Sequence, residues 1–489
     1  MYRISKILIA NRGEIALRII RACKELEIKS VVVFSQEDVD GIWVRKADEA
    51  YPLIGNPIEV YLNYKKIINI AKKANCDAIH PGYGFLSESA EFAQMCEDRG
   101  VKFIGPKAKH IELFGDKIAS KVAMKEVGVP IVEGTTEPIT DKDYAKEFST
   151  QIGFPVIIKA AFGGGGRGMR IVHREEDFID MFESAKNESL KYFGKSDMFV
   201  EKYVQNPRHI EVQILADSYG NVIHLGERDC SIQRRHQKVI EISPSPLLNE
   251  NVRQKIYDVS VNAMKQLGYE SVGTVEFLVD EYDEIFFIEM NTRVQVEHPV
   301  TEMVTGIDII YNMIDVASGK QLELKQDDVK IRGYAIEFRI NSEDPSNNFF
   351  PSIGKVENLI MPSGPGVRID TSLYKGYELP HCYDSMLGKL IVQSHDWKST
   401  VEKARCALDE FYIEGFVTNI LLHKEIVRNY SFKKGQFDTG YLDNNLINFT
   451  FKDKNIFKIE EEKSLKLASM IEKQQANSFV KLKNYFTPW

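Results

Sequence analysis

Residues 276–297 read EFLVDEYDEIFFIEMNTRVQVE. Two short apolar runs of β-formers, 277–279 and 285–288, flank a polar turn at 280–284, which predicts a β-hairpin. A register pairing Leu278 with Phe287 sets Glu276 opposite Glu289. Cross-strand partners have Cβ atoms about 5 Å apart, and carboxylates that close repel unless a cation lies between them or one is protonated. Oxygen ligands suit a hard cation such as Mg2+ or Mn2+, and Asn291, on the same parity, could add a third oxygen. Beyond it Asn291, Arg293, Gln295 and Glu297 alternate with Thr292, Val294 and Val296, so an extended chain shows four polar groups on one face. Such a row is either a solvated edge or the floor of a catalytic site. The carboxylate pair directly before it favours the floor.

Other constellations supply cations. Lys159 precedes Gly163–Gly164–Gly165–Gly166–Arg167–Gly168. Four consecutive glycines cannot form a packed strand, but they let backbone N–H groups approach phosphate oxygens. No GK[ST] follows, so this is not a P-loop. With Lys159 and Arg167 beside it, the run predicts a mobile flap over a triphosphate. Gln233, Arg234, Arg235, His236, Gln237 and Lys238 form a basic run after Glu227–Arg228–Asp229–Cys230, set between strands and ahead of an apolar stretch. A basic run is usually a solvated face, whereas a buried one needs an anion. Glu201 and Lys202 end a strand and suit the edge of an adenine, a weak signal alone; a lone His209 is more often structural. Arg339, alternating with Glu337 and Asn341, is either a salt-bridge member of the core or an oxyanion stabiliser.

These residues need a scaffold. Residues 1–114 alternate strand (6–10, 30–35, 101–105) and helix (14–25, 64–73, 90–99), which predicts an open parallel sheet. HPGYGFLSE at 80–88 is either a ligand loop beyond a strand end or a plain Gly-rich turn. NRGE after the first strand is not GxGxxG, though the helix start there could hold an anion. From 115 the pattern changes: a helix at 116–127, strands at 153–160, 170–172, 196–203, 208–216 and 222–228, then helices at 251–266 and 301–317. A third unit after about 330 has strands at 333–340, 354–360, 367–370 and 387–394, and helices at 399–411 and 418–428, an α+β closing domain. From about 450 the chain is charged with spaced apolar residues, which predicts one amphipathic helix. The fold class is therefore α/β and α+β, multidomain, as expected of 489 residues.

Composition narrows the function classes. Hydrophobic residues at 43% and charged residues at 27% describe a soluble globular protein. A net charge of −8 removes any global attraction to nucleic acid or anionic membrane, so phosphate binding must be local. No apolar run approaches the roughly 20 residues of a membrane span. Cys23, Cys76, Cys96, Cys230, Cys382 and Cys406 are scattered without a CxxC pair, which predicts reduced thiols in a cytoplasmic protein.

Five stretches, IANRGEIALRII, HPGYGFLSE, KAAFGGGGRGMR, ERDCSIQRRHQK and FIEMNTRVQVEHPVTE, stand in the order and spacing of the biotin carboxylase family, and the chain resembles that branch of the ATP-grasp superfamily from residue 1 to about 447. The resemblance implies an N-terminal pre-ATP-grasp domain (1–114), an ATP-grasp domain (115–330, lid about 131–203), a C-terminal domain (331–447) and a charged tail (448–489). It implies that MgATP and bicarbonate form carboxyphosphate, and that the carboxyl group passes to biotin on a carrier protein. By motif position, ATP would meet Lys117, Lys159, Gly165, Gly166, Glu201, Lys202, Val204, His209, Gln233, His236, Glu276 and Glu289. The metal would meet Glu276, Glu289 and Asn291, and bicarbonate Lys238, Arg293, Gln295 and Val296. Glu297 would be the general base, and Arg339, Tyr83 and Glu88 would serve the biotin end. The family implies a homodimer. Without a biotin-attachment motif, the chain would act as a subunit beside a biotin carboxyl carrier protein and a carboxyltransferase of an acetyl-CoA, pyruvate or other acyl-CoA carboxylase. Two other readings are an ATP-grasp ligase joining an acyl-phosphate to an amine, against which Arg293, Gln295, Glu297 and Arg339 argue together, and an inactive scaffold, against which Glu276, Glu289, Arg293 and Glu297 argue.

Overall fold

The first strands are short: β1 (Lys6–Ile9), β2 (Lys29–Phe34), β3 (Glu49–Pro52), β4 (Ala78–His80) and β5 (Lys102–Phe103), with β1, β2 and β4 largely apolar and buried and β3 partly exposed at the sheet edge. They form a parallel sheet in the order β3-β2-β1-β4-β5, as the alternation predicts, with β3 an additional strand. The helix Gly13–Glu25 leaves β1 directly and buries Ile15, Ile19, Ile20 and Cys23, but also Glu14 and Arg18. The computed structural model describes residues 3–135, 137–160, 169–193 and 196–451. The glycine run, with the expected contacts Gly165 and Gly166, lies outside the described residues, as does the expected tail helix.

Three strands, β6 (Val156–Ala160), β7 (Arg170–Val172) and β8 (Met198–Lys202), make a small antiparallel sheet in the order β7-β6-β8. Val156, Ile158, Met198 and Val200 pack with Phe178 and Phe182 of the helix Phe178–Phe193 into a core of their own.

The remaining long strands are β9 (Arg208–Ala216), β10 (Val222–Arg234), β11 (Gln237–Ser243), β12 (Ser271–Val279), β13 (Ile285–Asn291) and β14 (Tyr334–Asn341). The short strands β15 (Glu343–Asp344), β16 (Phe350–Pro351) and β17 (Asn358–Ile360) follow, then β18 (Val367–Thr371), β19 (Met386–Ser394) and β20 (Tyr412–Glu414). Eight of them form one sheet in the order β13-β12-β9-β10-β11-β14-β19-β18; β15 pairs with β16, and β17 with β20.

Alternation along these strands separates two faces. Ile210, Val212, Ile214, Val275 and Phe277 bury against Ile256 and Met264 of the helix Glu250–Gln266. Glu211 and Gln213 on β9 and Thr274 and Glu276 on β12 take the opposite parity, and all four are buried. Buried polar groups must find partners, and the charge cluster below is where these find them. Pairing of β11 with β14, Glu241 opposite Glu337, carries the sheet across residue 330. The expected third unit therefore shares its sheet with the second, and Met1–Phe449 forms one compact unit.

Four local expectations change. Glu276 does pair with Glu289, but a bulge follows, and Leu278 pairs with Phe286 rather than Phe287; one extra residue on β13 shifts everything toward the turn. The expected helix 301–317 is two helices, His298–Thr305 and Ile309–Ala317, because Gly306 at φ 73° closes the first in the left-handed region. The expected strand 222–228 is longer: β10 continues to Arg234, into the basic run, and Arg235 and His236, at φ 50° and 64°, form a two-residue hairpin turn. Strand geometry ends at Asn291, so Arg293, Gln295 and Glu297 do not lie on a strand.

Candidate active site

Lys238, on β11, is the hub. Its ammonium lies 2.5 Å from Glu211, 2.9 Å from Glu276 and 2.8 Å from Glu297. Three donors meet three carboxylates, so although burial disfavours its charge, Cys230 and these carboxylates outweigh burial and raise its pKa well above the ordinary lysine value. Glu211 also accepts from Arg228, whose buried guanidinium donates to Gln213, Thr301 and Thr274. Glu297 occupies the turn ahead of the helix His298–Thr305 and is fully buried. Burial raises its pKa, but Lys238, Arg339 and Arg228 win and hold it well below the usual carboxylate range. Arg339, on β14, donates to Glu297 at 3.0 Å and to Glu241 at 2.6 Å. On the same strand lies Glu337, whose two carboxyl oxygens have no hydrogen-bond partner among the described residues; burial raises its pKa well above normal. Burial also pushes Glu241 up to about 7.

The predicted polar row converges without being a strand. Asn291 donates to Glu276 at 2.8 Å and accepts from Arg293 at 2.9 Å, Arg293 donates to Gln295 at 3.0 Å, and Gln295 donates to Glu276 at 3.0 Å. Arg293 also meets Glu88 from the HPGYGFLSE loop at 2.8 Å. The turn is pinned through its carbonyls. His298 Nδ1 binds the Gln295 carbonyl at 2.8 Å, and the buried Lys389 of β19 donates to the Val296 carbonyl at 2.7 Å. Lys389 pairs at 3.0 Å with Glu14 of the NRGE motif, and Tyr83 donates its hydroxyl to Glu14. Tyr83 thus bonds this support rather than the cluster itself.

Glu276 and Glu289 form the cross-strand pair. Burial raises the Glu276 pKa, but Lys238 and His209 reverse this and lower it. Glu289 is raised, first by the Glu276 charge and then by burial. That mutual repulsion fits a divalent cation. Asn291 could meet such an ion only through its Oδ1, which also accepts from Arg293 at 2.9 Å. Two other acidic groupings, His209–Glu211–Glu276 and Glu211–Cys230–Glu297, share Glu211. Arg228 and Lys238 already bond it, so these are ion-pair clusters.

The expected nucleotide residues are placed unevenly. His209 pairs with Glu276 at 2.6 Å and with Gln233 at 2.7 Å. Lys117 begins the helix Lys117–Glu126 and lowers the pKa of Glu289. Lys159 donates to Glu201 at 2.7 Å. Lys202 turns to the carbonyls of Gly153 and Phe154, Val204 is half-buried, and His236 is exposed at the hairpin turn. Missing from the expected set are Arg228, Glu211, Glu241, Lys389, Glu14 and Lys121, which bonds Glu201. Their signals were available: strand parity for Glu211, and a one-turn spacing from Lys117 for Lys121.

A buried carboxylate pair, with Lys238 of the large sheet bonded to Glu276 and Lys117 of a helix acting on Glu289, has the charge pattern of a nucleotide-dependent ligase. Residues 3–111 match the family described as biotin carboxylase, N-terminal domain, residues 116–325 the carbamoyl-phosphate synthase L chain, ATP binding domain, and residues 337–444 the biotin carboxylase C-terminal domain. The chain is 50% identical over 438 residues to the 2-oxoglutarate carboxylase small subunit of Hydrogenobacter thermophilus, covering 90% of this chain and 93% of that protein. It is 49% identical over 443 residues to biotin carboxylase 1 of Bacillus subtilis, covering 90% and 98%. The crystal structure of the H. thermophilus 2-oxoglutarate carboxylase biotin carboxylase domain dimer, in complex with MgADP, ADP and bicarbonate, superposes with a TM-score of 0.88 at 48% identity, covering 93% of this chain and all of that one. The chain belongs to the biotin carboxylase family and has its three-domain architecture.

Proposed function

We propose that this chain carboxylates biotin on a separate biotin carboxyl carrier protein, using ATP and bicarbonate by way of carboxyphosphate, as one subunit of a carboxylase. The observation that carries the reading is Glu297 held between Lys238 and Arg339. Two cations hold this carboxylate well below its ordinary pKa and so make it a weak base, and an arriving bicarbonate would draw their charge toward itself and leave Glu297 the stronger base. Arg293, Gln295 and Lys238 are donors that suit an oxyanion and would turn to it from Glu88, Glu276 and the other partners they now hold. Val296 can contribute only its amide, since its carbonyl already accepts from Lys389. A divalent cation on Glu276 and Glu289, with Asn291 beside them, would neutralise charge on the nucleotide phosphates. Lys117, Lys159, Glu201, Lys202, Val204, His209, Gln233 and His236, with Gly165 and Gly166, are the nucleotide contacts in this reading. Arg339 faces the biotin ring once Glu297 has done its work, and Glu88 and Tyr83 bound that end.

The same reading sets domain limits at 1–114, 115–330 with a lid of about 131–203, 331–447 and a tail at 448–489. It implies a homodimer working with a carboxyltransferase in the cytoplasm. No helix among the described residues is long and apolar enough to cross a membrane. The test is ATP cleavage in the presence of free biotin, with and without bicarbonate. Cleavage that depends on bicarbonate supports the reading, and cleavage independent of it refutes the reading.

A further inference from the structure

Lys121 belongs to none of the sequence motifs, yet its ammonium sits in the site. It follows Lys117 by one turn of the helix Lys117–Glu126, so the two project from one face. Lys117 acts on Glu289. Lys121 bonds one oxygen of Glu201, and Lys159, from β6, bonds the other at 2.7 Å. A single buried carboxylate therefore holds two ammonium groups, one per oxygen, where one would neutralise it. The side chain of Lys121 is 22% exposed and that of Lys159 35%, so Lys159 is the partner nearer to solvent and to an incoming anion.

We propose that Lys121 is a positioning residue for nucleotide binding: it keeps Glu201 neutralised so that Lys159 is released to the nucleotide phosphates. This rests on the reading that Lys159 meets those phosphates. With Lys159 as the only counter-ion, the phosphates and Glu201 would compete for one ammonium, and a buried carboxylate does not readily give up its last partner. With Lys121 on the opposite oxygen, Lys159 can swing away while Glu201 stays paired. Lys121 need not touch the nucleotide, and it acts on nucleotide affinity rather than on the chemical step.

The experiment compares Lys121→Met, Lys121→Arg and Lys159→Met in the full chain. It measures KM for ATP, KM for bicarbonate, kcat and calorimetric binding of a non-hydrolysable ATP analogue. Lys121→Met is expected to raise the ATP KM and the analogue Kd about five- to tenfold. The bicarbonate KM and the kcat at saturating ATP should stay within about twofold, and Lys121→Arg should restore nucleotide affinity. If Lys159→Met weakens ATP but Lys121→Met does not, the proposal is overturned and the reading of Lys159 stands. If Lys159→Met leaves the ATP KM unchanged, that reading fails and the proposal falls with it. Equal losses in kcat and both KM values, together with a lower Tm, would show Lys121 to be merely structural and would also overturn the proposal.

Discussion

Arg339 Nη2 lies 3.0 Å from Glu297 Oε2, a bond that joins β14 to the turn carrying the proton acceptor. Lys238 occupies the other Glu297 oxygen at 2.8 Å. Glu297→Gln keeps the shape of this junction and removes the base. It should lower kcat by about 10²–10⁴-fold while leaving ATP affinity within about twofold. Single-turnover ADP release and equilibrium ATP binding measure the two effects separately. Substantial turnover in this variant would remove Glu297 from the role.

Lys238→Met leaves Glu276 and Glu297 without their shared ammonium in a buried site, while Glu211 keeps Arg228. Loss of one partner from a buried charge pair costs about 3–5 kcal/mol, and chemical denaturation should show a loss of that size. A variant of unchanged stability would mean that the cluster tolerates the missing charge.

The hairpin turn and the facing of Glu276 and Glu289 were legible because strand parity is local. The bulge beyond Glu276, one extra residue on β13, was not, since parity alone does not show where a residue is inserted. The spacing of Asn291, Arg293, Gln295 and Glu297 pointed to one site, yet the chain leaves strand geometry there. His298 and Lys389, which hold the turn by its carbonyls, come from outside the pattern. Glu14 was read only as part of a strand-to-helix motif, because its partner Lys389 is far away in sequence. The spacing from Lys117 sets Lys121 on the same helix face, but nothing near residue 121 announces its partner Glu201. The family signatures named the function; the ion pairs between distant segments needed the fold.

Glu289 carries a raised pKa caused first by the charge of Glu276. A cation placed between them relieves that repulsion. Glu289→Gln should therefore weaken Mn2+ binding, measured by electron paramagnetic resonance without turnover, by about tenfold or more. An unchanged Mn2+ affinity would place the metal elsewhere.

Glu201 is shifted down to about 2 because Lys159 and Lys121 outweigh its burial. A carboxyl with a depressed folded-state pKa adds stability that is present above the ordinary value of 4.5 and is lost as pH falls from there toward about 2. Wild type should therefore lead Glu201→Gln in Tm at neutral pH, and the gap should narrow as the pH drops below about 4.5. A gap constant across this window would show that the ion pairs with Glu201 contribute no pH-dependent stability.

In the proposed reaction the cluster around Glu297 and Arg339 moves a carboxyl group from bicarbonate to biotin. The most direct measurement follows ¹³C-labelled bicarbonate into N-carboxybiotin by mass spectrometry, with ADP quantified in the same sample. Labelled carboxybiotin should form together with ADP and be lost in Arg339→Gln. ADP formed in amounts independent of bicarbonate, with no label on biotin, would contradict that reaction.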